Sequence, residues 1–278
     1  MTLSSSQGSG APSGDLIARI VSSVVLAPVV LGAVWFGGWA LAILAAAAGA
    51  ILMFEWLTVT GRPPRSVPGA IAIVAVAAGI LIAGLSYMFV GIAIVGVAAI
   101  VLFAATRDIW LGGGIVYAAT MAISLLAIRF DLGYGLIGVI FVLAVVWATD
   151  IAAYAAGRTV GGPKLWPAVS PKKTWAGSIG GLIAAVVAGL LVAVVAGERP
   201  GLAVAAVAFV LSLACQAGDL FESAVKRKFG VKDASRLIPG HGGLLDRVDG
   251  LTFAAPLAAA IGILHAGAER IGEGLVSW

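Results

Sequence analysis

The chain has 278 residues, 61% of them hydrophobic and 11% charged, with a mean hydropathy of +1.11. Soluble domains hold roughly 45–50% apolar residues, so this composition excludes an ordinary water-bounded core and indicates an integral membrane protein. The net charge of +4 would suit nucleic acid, but the basic residues lie in short loops between apolar runs and suit anionic lipid head groups or phosphorylated substrates instead. Cys215 is the single cysteine, so no intramolecular disulfide is available, and its apolar surroundings make it a buried, inert thiol.

Residues 1–14 are small and polar, and are expected to form a disordered tail ahead of one helical membrane domain over 15–278. Nine apolar runs follow, at about 18–36, 39–57, 69–86, 87–105, 112–130, 134–156, 177–197, 201–219 and 250–268. Each is near the roughly 20 residues a helix needs to cross a bilayer core. The first run lacks a small-residue cleavage site and is kept as a span. Glycine and proline mark many of the boundaries, while the third and fourth runs meet with almost no polar break. Continuous rather than alternating apolar runs favour helices over a barrel, so the expected fold is an all-α polytopic membrane protein with about nine transmembrane helices. With the N-terminus in the cytoplasm, 14 of the 17 Lys and Arg fall inside, leaving Arg129, Arg199 and Arg270 outside. That orientation puts the long polar loops 157–176 and 220–249 in the cytoplasm.

Gly177, Gly181, Ala185 and Gly189 repeat at four-residue spacing and predict close helix packing; no Walker-type phosphate loop occurs. Charge concentrates further on. Five of the 13 acidic residues, Asp219, Glu222, Asp233, Asp246 and Asp249, fall between Gly218 and Gly250, together with Lys226, Arg227, Lys228, Lys232, Arg236 and Arg247. A helix running past Asp219 would place Glu222, Ser223 and Lys226 on the same face, as a site or as a solvated helix end with one salt bridge. Pro239, Gly240, Gly242 and Gly243 around His241 predict a tight turn whose N–H groups can approach an anion. Asp246 and Asp249 follow at a helix start, where two acids suit either a divalent cation or ordinary capping. Asp150 stands inside the sixth run, with Tyr154 and Arg158 one and two turns on; an intramembrane acid reads as functional, or as a structural acid paired with another helix. Lys164, Lys172 and Lys173 supply donors for phosphate oxygens, and Trp166 and Trp175 read as interfacial anchors.

The block Ser223-Ala-Val-Lys226-Arg227, Lys232-Asp233-Ala-Ser235 and Ile238-Pro239-Gly240-His241-Gly242-Gly243-Leu-Leu-Asp246-Arg247-Val-Asp249 resembles the signature of phosphatidate cytidylyltransferases, also called CDP-diacylglycerol synthases. Ser170-Pro171-Lys172-Lys173-Thr174-Trp175-Ala176-Gly177 is similar to a second block of that family, and the nine-span layout agrees. Gly250 and Ala176 depart from it, where a small hydroxyl residue and an acid are common. The resemblance implies Mg2+-dependent reaction of CTP with phosphatidate, giving CDP-diacylglycerol and pyrophosphate, by a homodimer in the cell membrane with K+ as second cation. It also implies Asp219 and Asp246, then Asp249 and Asp150, as metal ligands. Lys226, Arg247 and His241 join Asp219, Asp246 and Asp249 as expected catalytic groups. Lys172, Lys173, Ser223, Arg227, Lys232 and Asp233 are expected to hold the nucleotide. His241 has two readings, a proton relay or a hydrogen-bonded member of the turn.

Two anionic reactants require their repulsion to be neutralised, which cations and Lys or Arg can do, and an ionised phosphate needs no protein nucleophile. The absence of a Ser-His-Asp or Cys-His arrangement agrees. Two other classes stay open: a secondary transporter, whose charges would sit at the midplane, and a CTP-dependent lipid kinase, which would transfer the γ-phosphoryl group.

Overall fold

The computed structural model describes residues 28–235 and 242–278. The expected tail over 1–14, the start of the first span, Arg236 and His241 lie outside the described residues. Helix α1 is described over 28–36. It is followed by α2 (Gly38–Val59), α3 (Val67–Gly84), α4 (Met88–Thr106), α5 (Ile109–Arg129) and α6 (Gly135–Thr159). After a hairpin of β1 (Lys164–Trp166) and β2 (Ser170–Thr174) come α7 (Trp175–Val195), α8 (Leu202–Lys228), α9 (Leu245–Val248), α10 (Leu251–Ala266) and α11 (Glu273–Val276).

Seven of the described helices, α2 to α8, are long and apolar enough to cross a membrane, and α10 is a shorter apolar helix of 16 residues. The chain is thus a nearly all-helical, multi-pass membrane protein. Inside lipid each backbone N–H must be satisfied by its own segment, which these uninterrupted runs do. Polar side chains mark where helices begin. Ser66 accepts the Gly69 N–H at 3.2 Å, Asp108 the Trp110 N–H at 2.9 Å, and Thr174 the Gly177 N–H at 3.1 Å. The third and fourth runs separate at a turn around Ser86.

Successive helices alternate in direction, so the bundle has two ends. One carries the hairpin, α9 and the α4–α5 turn; the other carries the α5–α6 and α7–α8 turns and α11. The small residues of α7 do pack closely. Gly177, Gly181, Ala185, Gly189 and Ala193 form its buried stripe, and a Cβ at Gly181 would lie 2.9 Å from the Thr149 carbonyl oxygen of α6. At the hairpin end, Trp56 donates its indole N–H to the Trp110 carbonyl at 2.7 Å and packs on Tyr117, tying α2 to α5.

Candidate active site

A cavity of about 650 Å3 opens at the hairpin end, walled by α6, β2, α7, α8 and the α9 segment. Four acids line it: Asp150 of α6, Asp219 of α8, and Asp246 and Asp249 at α9. Lys172, Lys173, Arg158, Arg247 and Tyr154 line it too. Both signs of charge therefore meet in one concave space, and Tyr154 and Arg158 share the Asp150 face, with the Arg158 guanidinium donating to the Tyr154 hydroxyl at 2.9 Å.

The expected continuation of the eighth span holds. Helix α8 runs on to Lys228, which brings Asp219, Glu222 and Lys226 onto its inner side. Asp219 pairs with Lys173 of β2, so the hairpin is tied to α8 at the cavity wall. Lys226 sits between Glu222 at 2.6 Å and Asp246 at 2.7 Å. The simple salt bridge is therefore only half of that arrangement, because the same ammonium links α8 to α9.

The ninth run, expected at about 250–268, is α10, and the acids Asp246 and Asp249 stand just before it. Asp246 belongs to the short α9, and a turn at Asp249-Gly250 precedes α10. The two acids consequently differ in environment. Asp246 accepts the Gly243 N–H at 2.9 Å and the Ala234 N–H at 3.1 Å besides Lys226. Burial alone would raise its pKa, but Lys226 and these N–H groups outweigh burial and hold it below the usual carboxylate range. Asp249 accepts the Gly250 N–H at 2.9 Å, and burial, then Asp219 and Glu222, push its carboxyl well above the usual range. One acid is neutralised by the protein; the other is crowded by like charges.

Two glycines allow this corner to form. A Cβ at Gly218 would lie 2.4 Å from the Asp249 carbonyl oxygen, and one at Gly250 would lie 2.5 Å from the Cys215 sulfur. The second contact gives the departure at Gly250 a local reason: Cys215 fills the space a larger residue would need. Cys215 is buried, as expected, and its thiol approaches Asp150 Oδ1 at 3.6 Å.

Ser223, Arg227, Lys232 and Asp233 do not line the cavity, and Lys226 reaches it through Asp246. Three uncharged groups that sequence reasoning passed over do line it. Gln216 and Ser178 bond to each other across α7 and α8, and Thr149 accepts or donates a 2.8 Å hydroxyl bond with Ser212. Glu55 was passed over as well. It is fully buried on α2 and binds the chain leading into α9. Its signal was an acid inside an apolar run.

Among the described residues, no three His, Cys, Asp or Glu side chains are gathered so as to hold a metal ion by themselves. Mg2+ commonly binds through one or two carboxylates, keeping waters and taking substrate phosphates as the remaining ligands. A crowded, N–H-poor carboxyl such as Asp249, facing Asp219 and Asp150, fits that mode better than a closed cage.

The profile of the cytidylyltransferase family matches residues 17–264. The phosphatidate cytidylyltransferase of Brucella suis biovar 1 is 42% identical over 267 residues, 91% of this chain and 95% of its own length. Its counterpart in Brucella abortus biovar 1 is 41% identical over the same shares. That of Staphylococcus saprophyticus is 44% identical over 124 residues, 44% of this chain and 48% of its own length. A match over nearly the whole sequence, together with a cavity that sets four acids against Lys and Arg, places the chain in the cytidylyltransferase family.

Proposed function

We propose that the chain joins CTP to phosphatidate, giving CDP-diacylglycerol and pyrophosphate, in the cavity at the hairpin end of the bundle. The observation that carries this reading is the meeting of Asp150, Asp219, Asp246 and Asp249 with Lys172, Lys173, Arg158 and Arg247 in one space at the end of the membrane helices. A phosphate oxygen of the lipid attacks the α-phosphorus of CTP, its new P–O bond forms, and the bond to pyrophosphate breaks. Lys172, Lys173, Arg158 and Arg247 offset the phosphate charges and orient the two reactants. Lys226 keeps Asp246 in place, and Gln216 with Ser178 offers neutral hydrogen-bonding groups for the nucleotide.

Asp219, Asp249 and Asp150, with Asp246 beside them, are the residues that would hold Mg2+. A bound Mg2+ supplies Lewis-acid neutralisation of phosphate oxygens. Asp249 gains from it, since the ion would offset the burial and the like charges that raise its pKa. K+ as a second cation and the homodimer rest on the family resemblance.

The cavity end faces the cytoplasm in this reading. All the Lys and Arg of the described residues lie at that end except Arg129, Arg199 and Arg270, as the positive-inside rule requires. The lipid keeps its acyl chains in the bilayer, since withdrawing each CH2 costs about 0.8 kcal/mol, so only its head group enters the cavity.

The test is product analysis with purified protein in detergent, phosphatidate, Mg2+ and CTP labelled at either the α- or the γ-phosphate. The expected outcome is α-label in a lipid product and γ-label in pyrophosphate. A lipid carrying the γ-label, with CDP released, would replace this reading with a CTP-dependent kinase. Solute uptake by proteoliposomes without CTP would replace it with a transporter.

A further inference from the structure

Glu55 has no part in the chemistry above, yet its side chain is fully buried near the loop end of α2. An acid in that position is costly unless donors surround it. Donors do surround it, and all come from far along the chain. Oε1 accepts the Ser235 hydroxyl at 2.5 Å and the Leu244 N–H at 3.1 Å, while Oε2 accepts the Leu245 N–H at 2.7 Å. One donor belongs to the segment that leaves α8, and two belong to the start of α9.

We propose that Glu55 is a positioning residue for the reaction: it clamps the chain that enters α9 and thereby sets where Asp246 and Asp249 stand in the cavity. This rests on the proposed reaction only in calling those two acids functional; the clamp itself is a matter of bonds. A carboxylate accepts at both oxygens, so three donors are matched. Glutamine would turn an NH2 group toward a backbone N–H and lose at least one bond. The neighbouring glycine is fitted to the same geometry. A Cβ on Gly243 would lie 2.8 and 2.9 Å from the two Glu55 oxygens and 3.0 Å from the Ala234 Cβ, so a larger residue would displace a carboxyl held by three bonds. Asp246 grips the same turn from the other side through the Gly243 N–H. The acid that clamps and the acid that is placed thus share one short stretch of backbone.

The experiment compares full-length wild type, Glu55→Gln and Gly243→Ala in detergent by hydrogen exchange, thermal unfolding and CDP-diacylglycerol formation. In Glu55→Gln the peptide covering 242–248 is expected to exchange at least tenfold faster while the helices keep their protection. Removing groups that orient site ligands typically lowers activity about 10–100-fold, and kcat is expected to fall within that range with the KM for CTP little changed. Gly243→Ala, which disturbs the clamp from its other partner, should repeat the pattern, and the double variant should be no worse than the weaker single one. Unchanged exchange at 242–248 in Glu55→Gln would overturn the clamp. Faster exchange with unaltered kcat would overturn the positioning role, as would uniform loss of protection across all helices in both variants. If wild type makes no CDP-diacylglycerol, the proposed reaction fails and the exchange data alone decide the clamp.

Discussion

The two ends of the bundle use buried carboxylates in different ways. At the far end, Asp131 is almost fully buried, and its Oδ1 accepts the Gly133 and Tyr134 N–H groups at 2.9 Å while its Oδ2 accepts the Glu273 N–H at 2.9 Å. Glu273 pairs with Arg270, and Glu198 takes the Tyr134 hydroxyl. Each of these acids has its donors, and together they staple α11 and the α5–α6 turn. At the hairpin end Glu55 and Asp246 staple in the same manner, but Asp249 is packed against other acids instead. An acid surrounded by donors holds structure; an acid crowded by other acids, as Asp249 is, has its charge unmet by the chain and is where the proposed Mg2+ would act.

That contrast predicts different losses at different acids. The largest is expected for Asp249→Asn, which removes a charge without shortening the side chain. Loss of one preorganised electrostatic group typically costs about 100–1,000-fold in rate, and the variant should lose turnover on that scale with its thermal unfolding midpoint unchanged or raised. Asp246→Asn comes next. It weakens the bond to Lys226, so turnover and the protection of 242–248 should fall together, as product formation and hydrogen exchange would show. Asp131→Ala should leave turnover per folded molecule unchanged and lower stability by about 1–3 kcal/mol, since three N–H groups lose their acceptor. Arg62→Ala should have the smallest effect. Its two-pronged pair with Asp108 is partly solvated and lies outside the cavity, so turnover per folded molecule should be unchanged and denaturant unfolding should show a loss of about 1 kcal/mol, the upper end for such pairs.

Acid gives a further contrast. The native pKa of Asp246 lies below its unfolded value of about 3.9, so the stability it contributes is complete above that pH and declines as pH falls through the native value. Protection of 242–248 should therefore hold at pH 5 and above and decline below about pH 4.

Much of this was legible from residues alone, for physical reasons. Apolar runs of span length satisfy their own backbone wherever they fold, so α2 to α8 followed from hydropathy. The small-residue stripe of α7 followed from four-residue spacing. Asp150 and Asp219 marked themselves as charges among apolar residues, and both line the cavity. The hold on the chain before Asp246 was not legible, because it comes from a tertiary bond: the Leu245 N–H is captured by Glu55, some 190 residues earlier. Glu55 met the same test as Asp150, but its partners are too remote in sequence to suggest a role. Gln216 and Ser178 carry no charge and lie within continuous helices without a periodic signal, so only the packing of α7 on α8 brings them together.

The Mg2+ dependence of CDP-diacylglycerol formation by wild type and Asp249→Asn, prepared in the same detergent, tests most directly whether crowded acids at the hairpin end bring two anions together. The expected result is saturable Mg2+ dependence in wild type, with Asp249→Asn folded but needing far more Mg2+ or turning over at a small fraction of the rate. Coincident Mg2+ curves for the two proteins would contradict that role for the cavity.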